Sequence, residues 1–147
     1  MSKLKMAPQL PESYTKKLVR LRGLGATNMV LRLKKSFLPN STYWLSICKK
    51  DSPVMVLVEH TNMIESSHYN NEHLVYIGNY PEKDSELFNK NKEQTLAYYN
   101  KFLDKIHPGY RKDLIGYELF KAPFAQPIVP VNYSKLIPPM KTPLPHV

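Results

Sequence analysis

The chain has 147 residues, 42% of them hydrophobic and 22% charged, with a formal net charge of +9. That length suits one domain spanning residues 1–147, and that balance excludes a disordered body. The single cysteine, Cys48, excludes an intrachain disulfide framework and a cysteine-based zinc site, and it fits a reducing, cytoplasmic setting.

The N-terminus MSKLKMAPQL lacks the apolar stretch of a signal peptide. No run approaches the about 18 apolar residues of a membrane-spanning helix. The basic balance invites a polyanionic partner. However, the lysines come as separated pairs, Lys16-Lys17, Lys34-Lys35 and Lys49-Lys50, with no longer basic block and no aromatic RNA-binding motif, which argues against nucleic acid.

In chain order, LPESYTKKLVRLR carries Leu10, Tyr14, Leu18 and Leu21 at helical spacing. Pro11 suits a first turn, and Gly23 and Gly25 are expected to break the helix. ATNMVLRLKKSF alternates, with Met29, Leu31 and Leu33 on one face, and reads as a half-buried strand. Pro39-Asn40-Ser41 reads as a turn, residues 43–47 as a short strand, and residues 50–53 as another turn. Residues 54–58, VMVLV, are apolar without alternation, which predicts a central strand covered on both faces. Residues 64–71 are polar and read as a loop, and residues 73–80 as a further strand. Residues 84–107 read as helix in one or two pieces, with Leu96, Tyr99, Leu103 and Ile106 forming a stripe closed by Pro108-Gly109. Residues 114–121 alternate again.

Beyond Lys121 the chain is crowded with proline, which removes backbone donors and forbids a central strand, so an extended edge or polyproline course is expected. The whole predicts an α+β fold: a mixed or antiparallel sheet of about five strands with helices on one side and a proline-rich, extended C-terminal segment.

The chemical signals are sparse. Gly23-Leu24-Gly25 lacks the third glycine of a dinucleotide fingerprint and follows a helix instead of a strand. His60, His68 and His73 lie near Glu59, Glu65 and Glu72, but without metal-ligand spacing, so no metal is expected. Glu59 and His60 close the apolar run and are read first as structural hydrogen-bonding groups and second, because strand ends border pockets, as pocket lining. Tyr43-Trp44 is read first as core packing and second as a flat wall for a planar ligand. Asn40-Ser41-Thr42 matches a glycosylation sequon without other signs of secretion. No nucleophile motif or phosphate-binding loop occurs, so no catalytic residue is assigned.

Two segments, VEHTNMIESSHYNNEHLVYIGNY and KAPFAQPIVPVNYSKLIPPMKTPLPHV, resemble the flavin-containing amine oxidases and protoporphyrinogen-oxidase-like oxidoreductases of microbes. The resemblance extends from about Leu10 onward. It is densest at residues 59–62, at His68-Tyr69, at residues 73–80 and at residues 122–133. It implies a substrate-binding domain, with residues 134–147 leading toward an FAD-binding domain that is not part of the sequence. That tail would be frayed or would cover an exposed face. Tyr43, Trp44, Glu59, His60, Asn62, Phe124, Gln126 and Pro127 are the implied substrate-side residues. FAD belongs to the full-length family, and the resemblance implies that this chain alone binds none and turns nothing over. Its partners would be a small-molecule substrate and a separate FAD-binding domain or chain.

Two other readings stay open. One is a stand-alone module that binds an apolar ligand or a partner protein, or that self-associates through exposed apolar faces. The other is a small basic nucleic-acid-binding protein.

Overall fold

The computed structural model describes residues 9–145. The expectations for residues 1–8 and for the last two residues of the tail lie outside it. Among the described residues the order is helix α1 (Glu12–Val19), strands β1 (Gly23–Leu33), β2 (Trp44–Ser46), β3 (Val56–Glu59) and β4 (His73–Asn79), helices α2 (Glu86–Asn89) and α3 (Lys92–Ile106), and strand β5 (Leu114–Pro127). The strands form one antiparallel sheet in the order β2-β3-β4-β1-β5. This is the expected α+β architecture, and every neighbouring pair is antiparallel.

The longest strand, β1, takes the sheet's interior because its alternation is the cleanest. Gly25, Thr27, Met29, Leu31 and Leu33 are buried, and the residues between them are not. Helix α3 covers that face. It starts at a capping box, in which the Asn91 side chain accepts from the Gln94 N–H while the Gln94 side chain accepts from the Asn91 N–H. Its stripe of Leu96, Tyr99 and Leu103 is buried against Met29, Leu31, Leu33, Leu57 and Ile77 in one cluster. The helix ends at His107, ahead of Pro108 and of Gly109, whose φ of 77° suits glycine. The predicted helix therefore divides into α2 and α3. Phe88 of α2 lies on the same face, against Gly25: a Cβ on Gly25 would sit 3.0 Å from the Phe88 ring and 2.9 Å from the Ala122 carbonyl.

Three local expectations are corrected. Gly23 and Gly25 do not stop the first helix, which ends by Val19. Both lie inside β1, where the lack of a side chain lets Phe124 and Phe88 close over the strand. Residues 54–58 do not make a central strand covered twice. β3 is next to the sheet edge, and only Leu57 and Glu59 are buried, with Val56 and Val58 on the uncovered side. Residues 64–71 are not plain loop either: Ser66–Tyr69 forms a 3-10 turn, as does His60–Asn62 ahead of them.

β5 runs on past Lys121 to Pro127 as an edge strand, paired with β1 through Leu24 opposite Gln126 and Gly23 opposite Pro127. After it, the Ile128 N–H donates to the Arg22 carbonyl at 3.0 Å. The chain then turns at Tyr133–Lys135 and returns to α1, where the Tyr14 hydroxyl donates to the Pro139 carbonyl at 2.9 Å. Among the described residues, no helix is long and apolar enough to cross a membrane.

Candidate binding surface

Helices α2 and α3 pack on one face of the sheet, and the other face is largely bare. Side chains alternate along a strand, so the strand register identifies which residues share that face. One row across all five strands reads Trp44, Val58, Tyr76, Val30 and Glu118. The next reads Ser46, Val56, Gly78, Asn28 and Phe120. Trp44 is 54% exposed and Phe120 is 59% exposed, while Val30, Val56, Val58 and Tyr76 are half-buried by one another. Among the described residues these apolar and aromatic side chains have no layer above them, an arrangement that marks a contact surface.

One end of this face is walled. The segment of residues 60–71 folds back over β4, where the Leu74 N–H donates to the Thr61 hydroxyl at 3.1 Å and Leu74 is buried. The His60 ring meets Tyr76 edge-on at 5.8 Å and Tyr69 edge-on at 5.2 Å. His60 Nε2 and the Tyr69 hydroxyl are hydrogen-bonded at 2.7 Å. Arg32 closes the corner through an ion pair with Glu72 at 3.1 Å. Trp44, Tyr76, His60 and Tyr69 thus make an aromatic ledge beside the valines, on which a flat or apolar group can lie.

The lysine pairs are elsewhere. Lys16-Lys17 is on α1, Lys34-Lys35 follows β1, and Lys49-Lys50 lies between β2 and β3. The charged groups within and beside the bare rows are Glu118, bonded to Lys92 at 3.4 Å, and the Arg32–Glu72 pair. Such a face suits an apolar partner better than a phosphate backbone.

The residues singled out from the sequence divide into three places. Trp44 and His60 border the bare face. Tyr43, half exposed, precedes β2 and holds the strand end by accepting the Glu59 N–H at 2.8 Å. Asn62 is committed to structure, donating to the Thr42 carbonyl at 2.9 Å and accepting from the Ser36 hydroxyl at 3.4 Å. Glu59 does not line the surface at all. Its side chain is on the covered face, 0% exposed, and its carboxylate accepts the Phe37 N–H at 3.0 Å and the Leu38 N–H at 2.5 Å. His73 Nδ1 lies 3.6 Å from the same carboxylate.

Phe124, Gln126 and Pro127 sit opposite Gly23 and Leu24, about 25 Å along the sheet from the level of Glu59. The fold does not bring these two groups together. Phe124 lines a separate hollow of about 310 Å³ with Leu24, Pro123, Ile128 and Arg22, and neither Gln126 nor Pro127 is among its walls.

Sequence reasoning missed Val30, Val58, Tyr69, Tyr76 and Phe120. A signal was present in VMVLV. A strand apolar on both sides, in a chain with only enough helix to cover one face, leaves its second apolar side bare.

The fit to a flavin can be tested on the glycines. Gly23 and Gly25 are inside a strand, their open sides filled by the rings of Phe124 and Phe88. They form no strand-to-helix turn that could present backbone N–H groups to a pyrophosphate. Gly23 and Gly25 are therefore not a dinucleotide-binding turn. Among the described residues, no group of three or more His, Cys, Asp or Glu could hold a metal ion. No family model matches the chain, and no curated protein matches it.

Proposed function

We propose that this chain is a binding module that works through the bare sheet face, taking an apolar ligand or the apolar surface of a partner protein. The observation that carries this reading is the pair of rows holding Trp44, Val58, Tyr76, Val30, Val56 and Phe120, which among the described residues have no covering layer and few charges. Soluble proteins seldom leave such a contiguous apolar surface unless it is used.

An environment-sensitive apolar dye tests it. The dye is expected to brighten on the folded protein and to quench or shift the emission of Trp44, the chain's single tryptophan. Val58→Lys is expected to abolish most of the brightening while leaving the circular dichroism unchanged, because Val58 points away from the core. A folded protein that fails to brighten the dye would overturn the reading, and tight binding of DNA or RNA at low salt would replace it with the polyanion alternative.

A narrower form follows from the resemblance to amine-oxidase-like flavoenzymes. In it, the bare sheet is one wall of a substrate cavity whose flavin sits on a separate chain or domain. The exposed Trp44 beside Val58 and Tyr76 favours it, as a flat wall for a planar ligand, whereas the hollow beside Phe124 stands apart from this wall. The isolated chain is then expected to purify colourless and to gain flavin absorbance only when a flavoprotein partner co-purifies. A stoichiometric flavin on this chain alone would contradict it.

A further inference from the structure

The outer edge of β5 is open. Gly25 donates its N–H to Pro81, toward β4, and Lys34 donates to Asp113, toward β5. Odd-numbered backbone groups of β1 therefore face β4 and even-numbered ones face β5. Their partners on β5 are Gly116, Glu118, Phe120 and Ala122, so the N–H and C=O groups of Tyr117, Leu119 and Lys121 point outward. Among the described residues, no strand lies beyond β5 and no backbone hydrogen bond reaches those groups.

The open run has limits and a centre. The register shifts between Arg32 and Leu33 and again between Leu24 and Ala26, which leaves one extra β5 residue at Ile115 and two beyond Ala122. Irregularities and prolines of this kind blunt an edge. Pro123 and Pro127 guard the far end, and the regular stretch from Gly116 to Ala122 has no proline, bordered only by the Lys92 side chain that lies over the Tyr117 ring and pairs with Glu118. Its midpoint is Leu119.

We propose that two copies of this chain pair through β5, antiparallel, about a two-fold axis at Leu119, making one continuous ten-stranded sheet. In this register Leu119 meets its own copy, and Tyr117 meets Lys121 twice, so every outward backbone group is bonded. On the bare face Glu118 meets Phe120 of the partner and Gly116 meets Ala122. No like charges oppose each other, whereas a register centred on Glu118 would set two carboxylates face to face. Lys121 keeps its own bonds to the Phe88 and Lys90 carbonyls, and Lys92 stays over the Tyr117 ring. The two bare faces become one surface of twice the width. A seven-residue edge buries less than the about 800 Å² per partner of a standard interface, so the dimer is a dissociable one, populated at high concentration.

The test uses Phe120, which is exposed and free of the core. Sedimentation equilibrium is run on the wild type and on Phe120→Gln, Phe120→Lys and Phe120→Glu. Relative to Phe120→Gln, the Lys variant faces Glu118 across the axis and is expected to dimerise about fivefold more tightly, and the Glu variant about fivefold more weakly. Amide exchange at Tyr117, Leu119 and Lys121 is expected to slow as protein concentration rises. A wild type that stays monomeric at all concentrations, or Lys and Glu variants that behave alike, overturns the proposal. So does a dimer whose exchange at these three amides does not depend on concentration, because association through the bare face would leave them open.

Discussion

Glu59→Ala is expected to lower the unfolding free energy by about 4 kcal/mol. The carboxylate is entirely buried at the end of β3 and accepts from Phe37 and Leu38. These two N–H groups begin the loop that leaves the sheet after β1. Removing the acceptor strands both donors away from water and opens a cavity the size of the side chain. The damage spreads along the loop. The Phe37 carbonyl accepts from His107 Nδ1 at 2.9 Å, and the Phe37 ring stacks on His107 at 5.3 Å and meets Tyr110 edge-on at 5.8 Å. Loss of the Glu59 anchor therefore loosens the end of α3 as well.

Glu59→Gln keeps one acceptor oxygen and places an amide near His73 Nδ1, so it is expected to cost about 1–2 kcal/mol. Urea midpoints followed by circular dichroism give both values. An alanine variant as stable as the wild type would mean that the loop is held by other contacts.

Tyr99→Ala is expected to cost about 3–5 kcal/mol, the range for truncating a large aromatic in a core that cannot collapse around the space. Tyr99 is fully buried between α3 and the sheet, and its hydroxyl accepts from the Asn79 side chain at 2.8 Å. Tyr99→Phe keeps the ring and loses that bond, at about 1 kcal/mol.

Burial pushes the phenols of Tyr99 and Tyr110 above their ordinary value of 10.0. The folded state therefore holds these protons after the unfolded chain has begun to release them. Their contribution is fully present below pH 10.0 and is lost as the pH rises further. Stability is expected to fall in strong alkali, less steeply in Tyr99→Phe and with the Tyr110 part remaining. A stability that stays flat through this range would rule out the account.

Much of the fold was legible in single stretches of sequence. The alternation of Met29, Leu31 and Leu33, the stripe of Leu96, Tyr99 and Leu103, and the stop at Pro108-Gly109 each record a local period or a local backbone constraint, and these act within a few residues. The glycines misled because they also break helices. In β1 they instead admit Phe124 and Phe88, which lie distant in sequence. The structural role of Glu59, one of its two readings from the sequence, is settled by distant partners for a similar reason. A carboxylate at a strand end reads as a structural acceptor or as a pocket residue, and the Phe37 and Leu38 N–H groups that reach it decide for the first.

By itself the sequence determined the α+β class, the identity of nearly every element and the apolar material of the core, since period, propensity and proline placement are properties of short segments. The tertiary structure alone decided the strand order β2-β3-β4-β1-β5, which places VMVLV beside an edge and leaves its outer valines uncovered. It also decided that Trp44 and His60 share one surface while Phe124 stands far from them. The physical reason is that pairing between strands joins residues of any separation in sequence. Which face a helix covers is settled by the geometry of the whole sheet, and no window of residues contains it.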